Sequence, residues 1–495
     1  MSTPAKSPVG VEQVAPKKSA ITRSGKVLLK WLVPIAIGLV LRFLPSPAGL
    51  SPIAWHYFAL FIAVIAALVT EPLPGAAVGL LGVVIATVFM LIGKTPAEAM
   101  RWSLSGFAND TVWLIFSATM FAIGYEVTGL GRRIALLLVR ALGRRTLGLG
   151  YALALSDLIL SPFMPSNTAR SGGTIYPIVK NIPPLYGCNP EQNPRKIGSY
   201  LMWTCFATTC VTSSMFITAL APNLLALGIA QKVAKVDVSW AAWMLGFLPI
   251  GILLFLITPL LTYVIYPPEV KRGDEVVRWA NRQLAVLGPI KRTEILMALF
   301  AIVALAAWIG GGSIVAPVTV ALAVISLMLI TGVVTWADVS GNRQGWTVLV
   351  WFATLVALAD GLNTVGFLKW FAARTTSTLS QVSPMTLMVS VVAVFFVVHY
   401  LFASLTAHTT AVLPAFLAAL MVVPGIPIRS VTLLLLYSLG LMGVLTPYAT
   451  GPGPIYYGSG YLSAKDFWRL GLIYGFVFLI ALLLIGVPYV RAVAH

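Results

Sequence analysis

Long apolar runs dominate the sequence and limit what the chain can fold into. About eleven stretches approach the roughly 20 apolar residues that a helix needs to cross a bilayer. Charged residues make up only 10% of the 495 residues, against about 25% in a soluble domain. The sequence therefore predicts an all-α polytopic membrane protein whose surroundings are the lipid bilayer.

The net charge of +18 does not indicate nucleic-acid binding. Basic residues cluster in short loops beside apolar runs, as they do on the cytoplasmic side of membrane proteins, and no basic patch with aromatic spacing occurs. Residues 1–26 are polar and predict a disordered cytoplasmic tail. We expect a bacterial inner-membrane protein with its N-terminus inside and its C-terminus outside. Three cysteines without metal-ligand spacing predict no cofactor and no metal site.

The order of the apolar runs predicts two copies of one unit in opposite orientation. Each unit has a crossing helix, a re-entrant hairpin, a broken helix and a closing helix. A basic cytoplasmic linker (267–292) and two scaffold segments (27–93 and 293–334) complete the chain. The predicted repeats are 108–266, with hairpin 147–180 and broken helix 197–230, and 345–490, with hairpin 383–420 and broken helix 428–458.

Two short polar motifs interrupt the apolar sequence of the hairpins. Residues 166–170 read Ser-Asn-Thr-Ala-Arg, and residues 404–408 read Ser-Leu-Thr-Ala-His. Polar groups at membrane depth are costly, so a matched pair of such motifs indicates a substrate site. Hydroxyl, amide and free backbone N–H groups at two facing tips suit the two carboxylates of a small diacid. The candidate binding residues are Ser166, Asn167, Thr168, Arg170, Ser404, Thr406 and His408.

Each broken helix carries a proline in the middle of its apolar run. A proline removes one helical hydrogen bond, and such discontinuous helices line the binding sites of transporters. Paired broken helices in inverted repeats are typical of secondary transporters with a site at the repeat interface. The break residues added to the candidate site are Thr218, Pro222, Asn223, Thr450, Gly451 and Pro452.

A dianion inside the membrane needs a positive partner. We expect Arg170 and His408 to supply it from the protein, where sodium symporters use bound metal ions. An empty carrier would then hold unpaired positive charge and reorient slowly. The hypothesis is therefore an obligatory antiporter that does not need sodium. A sodium-coupled dicarboxylate symporter, with sodium near Ser166 and Asn167, is the alternative within the same class.

The motifs resemble the divalent anion/sodium symporter family over residues 27–490. The similarity rests on both hairpin motifs, on residues 175–187 (Ile-Tyr-Pro-Ile-Val-Lys-Asn-Ile-Pro-Pro-Leu-Tyr-Gly) and on residues 195–202. It is strongest to the exchanger branch of citrate/succinate, tartrate/succinate and 2-oxoglutarate/malate antiporters. The resemblance implies eleven spans plus two hairpins, a homodimer and elevator-like movement. Leu405 replaces an asparagine of sodium-coupled members, which puts a second metal site in doubt.

Other interpretations of these residues remain open at this stage. Ser166 could merely cap a helix, and Arg170 could pair structurally with Asp157. A hydrolase built on Ser404 and His408 belongs to a different functional class, but the duplicated motif with Arg170 lacks a base. A channel is disfavoured because neither a ring of like charges nor a filter repeat occurs. Transport, not enzymatic catalysis, is the prediction.

Overall fold

The structure is a computed structural model that describes residues 20–311, 314–379 and 382–493. Within these ranges the regular structure is helical, apart from one isolated backbone bridge between Arg145 and Arg272. Eight described helices are long and apolar enough to cross a membrane, and four shorter apolar helices accompany them. The all-α polytopic fold is thus confirmed. Residues 1–19 of the predicted tail lie outside the described residues.

Three helices begin the described chain: α1 (Ala20–Phe43), α2 (Pro52–Thr70) and α3 (Gly75–Val88). Helix α1 starts within the segment that the sequence assigned to the tail, because no proline interrupts residues 20–33. Ser51 caps α2 by accepting a hydrogen bond from the backbone N–H of Ala54 (3.2 Å).

The first unit begins with a short helix and contains one crossing helix, one hairpin and one interrupted helix. Its helices are α4 (Pro96–Leu104), α5 (Asp110–Thr128), α6 (Leu130–Leu142), α7 (Thr146–Leu160), α8 (Tyr176–Val179), α9 (Gly198–Met215), α10 (Ala221–Ala234) and α11 (Trp240–Ile265). A π-helix, Thr168–Ile175, leads directly into α8. Three helices follow this unit: α12 (Asp274–Leu287), α13 (Arg292–Gly310) and α14 (Pro317–Ile330).

The second unit repeats the same order of elements. Its helices are α15 (Trp336–Gly341), α16 (Arg343–Thr364), α17 (Phe367–Leu379), α18 (Pro384–Val398), α19 (Leu405–Leu420), α20 (Ile428–Leu441), α21 (Pro452–Gly458), α22 (Ala464–Ala481) and α23 (Val487–Val493). A π-helical stretch, Leu482–Gly486, joins the last two.

The two units pack against each other through their interrupted helices. Helix α9 packs against α20, and α10 packs against both α19 and α20. Outside this body, α3 packs against α16 and α14 packs against α5. The hairpin and interrupted helices of the two units are therefore in direct contact with each other.

Three helices occupy segments that the sequence analysis treated as loop, linker or the end of a span: α6, α12 and α17. In α6 the buried residues Leu130, Arg133, Leu136 and Val139 recur at helical spacing. Arg133 Nε donates to Glu294 Oε1 at the start of α13 (2.9 Å), and both side chains are buried. The arginines of this segment are typical of a cytoplasmic loop. The apolar residues between them nevertheless form the buried face of a helix, which Arg133 joins to α13.

Candidate functional site

Both motif serines cap the helix that follows them. Ser166 Oγ accepts a hydrogen bond from the backbone N–H of Ala169 (3.2 Å), and Ser404 Oγ accepts one from Ala407 (3.4 Å). Serine is favoured at such positions because its side chain satisfies an N–H that the helix leaves free. Both serines therefore cap a helix, and these caps fix the orientation of each hairpin tip.

The breaks of the two interrupted helices lie against the first hairpin. The backbone N–H of Ala221 donates to the carbonyl of Pro165 (2.8 Å), and Thr218 Oγ1 donates to that of Pro162 (2.5 Å). From the other unit, Thr450 Oγ1 accepts a 2.8 Å hydrogen bond from Asn167 Nδ2. The first tip is therefore joined to the breaks of both units.

These elements enclose a cleft of about 360 Å³. Both hairpin tips and both breaks contribute to its wall, and α5, α16 and the turn after α2 complete it. From the tips and breaks come Pro165, Ser166, Asn167, Thr168, Leu220, Ala221, Pro222, Ala403, Ser404, Leu405, Thr406, Thr450 and Gly451. From the other elements come Glu71, Thr119, Gln344, Val348, Trp351 and Phe352.

Four helices begin at this cleft. The first residues of the π-helix, of α10 and of α19 line it, and so does Gly451 immediately before α21. A helix N-terminus carries roughly half a positive charge, which attracts anions. The short helix α21 adds little to this, because its first and third residues are prolines and the N–H of Gly453 donates to Thr450 O (2.9 Å). Together with the hydroxyl and amide side chains, this arrangement favours a negatively charged ligand.

Arg170 does not line the cleft, contrary to the sequence prediction. The guanidinium is fully buried and lies 3.1 Å from the carboxylate of Asp157. Its Nη1 donates to the carbonyls of Met164 (2.8 Å) and Ala219 (2.7 Å). Further hydrogen bonds reach the hydroxyls of Thr209, Thr212 and Ser213. The geometric reason is that a fully buried guanidinium needs every N–H paired, and the hairpin and the first break supply those partners.

His408 also lies behind the second tip and not in the cleft wall. The fully buried imidazole packs against Phe395, Phe402 and His399, with ring centroids 4.4, 5.0 and 5.2 Å away. Neither ring nitrogen has a hydrogen-bond partner within the part of the chain that the structure describes. Since Ser404 and His408 share no hydrogen bond, the second motif contains no Ser–His pair of the kind a hydrolase requires.

His399, which is not among the predicted site residues, contacts the second break. Its Nε2 lies 3.0 Å from the carbonyl of Ala449. Ala449 and Ala219 stand at equivalent places, each three residues before the proline of its break. The equivalent carbonyls of the two breaks are therefore held by His399 in one unit and by Arg170 in the other.

The remaining predicted residues hold the breaks together. Asn223 Nδ2 donates to the carbonyls of Ser213 (2.8 Å) and Phe216 (3.3 Å), and Thr218 also accepts from Trp240 Nε1 (3.1 Å). Pro452 is buried as the first residue of α21. None of these three side chains lines the cleft.

The sequence analysis missed the cleft residues that come from outside the motifs. Glu71, Thr119, Gln344 and Trp351 lie on elements far from the tips in sequence. Thr119 lies on the crossing helix α5, and Gln344 and Trp351 lie on the crossing helix α16, whereas Glu71 lies in the turn after α2. No local pattern in the sequence marks Glu71 as a cleft residue.

Comparison with known proteins identifies the family. The family described as "Sodium:sulfate symporter transmembrane region" matches residues 25–495. The L-tartrate/succinate antiporter of Escherichia coli (strain K12) is 45% identical over 477 residues, covering 94% of this chain and 98% of the relative. The protein of the same name from Shigella flexneri has the same identity and coverage.

A solved structure shows a related fold. The crystal structure of the Alcanivorax borkumensis YdaH transporter aligns with a TM-score of 0.54 over 88% of this chain and 98% of that chain, at 15% identity. Because the family match spans nearly the whole sequence, the chain belongs to the sodium:sulfate symporter family of membrane transporters, the divalent anion/sodium symporters that its motifs resemble.

Proposed function

We propose that this protein exchanges di- or tricarboxylates across the membrane as an obligatory antiporter that does not need sodium. The substrates are of the 2-oxoglutarate, malate, succinate, citrate or tartrate type. The observation that carries the proposal is the cleft at which two hairpin tips, two helix breaks and four helix N-termini meet. Its relatives are named L-tartrate/succinate antiporters, and both acids in that name have two carboxylates on four carbons.

Each tip serves one carboxylate of the substrate in this proposal. Asn167 and Thr168 contribute from the first tip, Ser404 and Thr406 from the second, and Thr450 lies between them. The partial positive charge at the N-termini of the π-helix, α10 and α19 neutralises the dianion in part. Arg170 acts indirectly, by fixing the first tip to the first break.

Sodium independence is supported by the groups that hold the break carbonyls. In sodium-coupled carriers, unwound backbone carbonyls of discontinuous helices coordinate the ion. Here Arg170 donates to Ala219 O and to Met164 O, and His399 contacts Ala449 O. A sodium ion at Met164 O or Ala219 O would lie beside the guanidinium of Arg170, and the repulsion between the two cations disfavours sodium there.

Obligatory exchange follows from the empty cleft. Without substrate, the tip hydroxyls and the backbone N–H groups that the helices leave free have no acceptor, and moving them past an apolar wall costs several kcal/mol in desolvation. Bound diacid satisfies these donors and lowers that cost. The sequence analysis expected an unpaired Arg170 to slow the movement of the empty carrier, but Asp157 balances the charge of Arg170. In this proposal the unpaired donors of the cleft slow that movement instead.

The proposal also covers the oligomeric state, the movement and the membrane location of the protein. We infer a homodimer, elevator-like movement of hairpins and broken helices against the scaffold, and location in a bacterial inner membrane. The N-terminus lies in the cytoplasm and the C-terminus outside, as the basic loops indicate.

Counterflow in proteoliposomes tests the function. Vesicles loaded with unlabelled succinate should take up labelled succinate without sodium, whereas empty vesicles should not, even with an inward sodium gradient. Uptake into empty vesicles that depends on sodium would instead establish the symporter alternative. Failure of every di- and tricarboxylate to exchange would refute the proposed function.

A further inference from the structure

The charged lining of the cleft is opposite to what a dianion needs. Among the described residues that form its wall, the ionisable side chain is an acid, Glu71. The carboxylate has no hydrogen-bond or ion-pair partner among the described residues. A like charge beside a bound dianion weakens its binding. Glu71 is an exposed residue, so water screens part of this repulsion but does not remove it.

The turn that carries Glu71 is held in place from several sides. The residue adopts a left-handed backbone conformation (φ 50°), which is uncommon for a residue other than glycine. Its N–H donates to Ala67 O (2.9 Å), and Lys30 Nζ donates to its carbonyl (3.3 Å). Thr70 Oγ1 donates to Lys30 O (2.9 Å). The lysine thus pairs with the backbone of Glu71 and leaves the carboxylate free at the cleft wall.

Glu71 also lies next to the second hairpin tip. It shares with Trp351, Ser404 and Ala407 an adjoining cavity of about 370 Å³. If the terminal carboxylates of a diacid bind the two tips, its middle carbons face the remaining wall of the cleft, of which Glu71 is part. If those carbons carry hydroxyl groups, the groups can donate to the carboxylate of Glu71. If they are methylenes, the carboxylate only repels the dianion.

We propose that Glu71 is a specificity-determining residue that selects hydroxylated dicarboxylates, such as tartrate, over unsubstituted ones, such as succinate. The inference rests on the proposed function of the cleft and names a discriminating group within it. A hydrogen bond from a hydroxyl to a carboxylate is charge-assisted and stronger than a neutral one. The hydroxyl therefore offsets a repulsion that the unsubstituted acid cannot avoid.

Isothermal titration calorimetry of purified protein with L-tartrate and with succinate tests the proposal. For Glu71→Gln we expect tighter binding of succinate and weaker binding of tartrate. The ratio of the two dissociation constants should change by about tenfold or more, which corresponds to roughly 1.4 kcal/mol. Glu126→Gln is the matched control, because Glu126 lines a neighbouring cavity of about 520 Å³ but not the cleft. Its ratio should equal that of the wild type.

The possible results separate the two proposals. A ratio within about twofold of wild type for Glu71→Gln, or equal shifts for both acids, would overturn the role of Glu71. If the wild type binds neither tartrate nor succinate, the role of Glu71 in selecting between them is overturned, and counterflow with the other di- and tricarboxylates tests the proposed function separately. If Glu71→Gln does not fold, Glu71→Asp keeps the charge but withdraws it by one methylene, and should reduce the preference for tartrate. An unchanged preference in that variant would also overturn the proposal.

Discussion

Nη1 of Arg170 lies 2.7 Å from the carbonyl oxygen of Ala219, so a cationic side chain of the first hairpin is bound to the break of the neighbouring helix. In the second unit, His399 Nε2 makes the equivalent 3.0 Å contact with Ala449 O. A freed carbonyl in a broken helix must be paired if it is buried. The protein pairs both of these carbonyls with its own side chains.

Asp157→Asn should destabilise the protein. It leaves the fully buried guanidinium of Arg170 without its counter-ion, which costs about 3–5 kcal/mol for a buried pair. Thermal unfolding in detergent measures the effect as a lower Tm. Glu275→Gln breaks an exposed pair with Arg278 and should leave the Tm unchanged. Equal Tm values for Asp157→Asn and wild type would show that the ion pair between Asp157 and Arg170 does not stabilise the hairpin.

Asn167→Ala and Thr450→Ala should each slow exchange with little loss of stability. Both remove the 2.8 Å hydrogen bond between the first tip and the second break. In a double-mutant cycle on diacid affinity, we expect a coupling of about 0.5–1.5 kcal/mol, because the two residues share one bond. Strictly additive effects would mean that they act on the substrate independently.

Gly451→Ala should impair exchange far more than Gly458→Ala. A Cβ at Gly451 would overlap Oγ1 of Thr168 in the first tip, whereas a Cβ at Gly458 meets nothing within 4 Å. The tip would have to shift and the cleft would change shape. Counterflow rates of the two variants provide the comparison, and Gly458→Ala serves as the control in the same segment. Similar rates would indicate that the tip and the break can separate without loss of function.

His408→Leu and His399→Leu should change stability in opposite directions. The first removes two buried nitrogens without partners, each of which costs about 1–3 kcal/mol, so the Tm should rise. The second leaves Ala449 O unpaired, so the Tm should fall.

The variant His408→Leu also tests a role for His408 in transport. If it supplies positive charge behind the second tip, His408→Leu should lose diacid exchange despite its higher Tm. Exchange at the wild-type rate would reduce His408 to a packing residue.

The motifs of the hairpins could be read from the sequence because polar residues at membrane depth stand out against their neighbours. Ser166, Asn167, Thr168, Ser404 and Thr406 line one cleft in the structure. The direction of Arg170 could not be read in this way. Both a substrate and Asp157 would satisfy its charge, and only the position of Asp157 on the facing arm of the hairpin decides between them.

Apolar run length, the polar interruptions and the spacing of the prolines determined from sequence alone that the chain is a helical membrane protein with two matched polar tips. These features act locally, since each residue either can or cannot remain in hydrocarbon. The tertiary structure alone decided which charges face the cleft. In the folded protein Arg170 lies in a buried hydrogen-bonded network, and Glu71, in a turn far away in sequence, lines the cleft. Pairing between distant residues depends on packing, which leaves no periodic trace in the sequence.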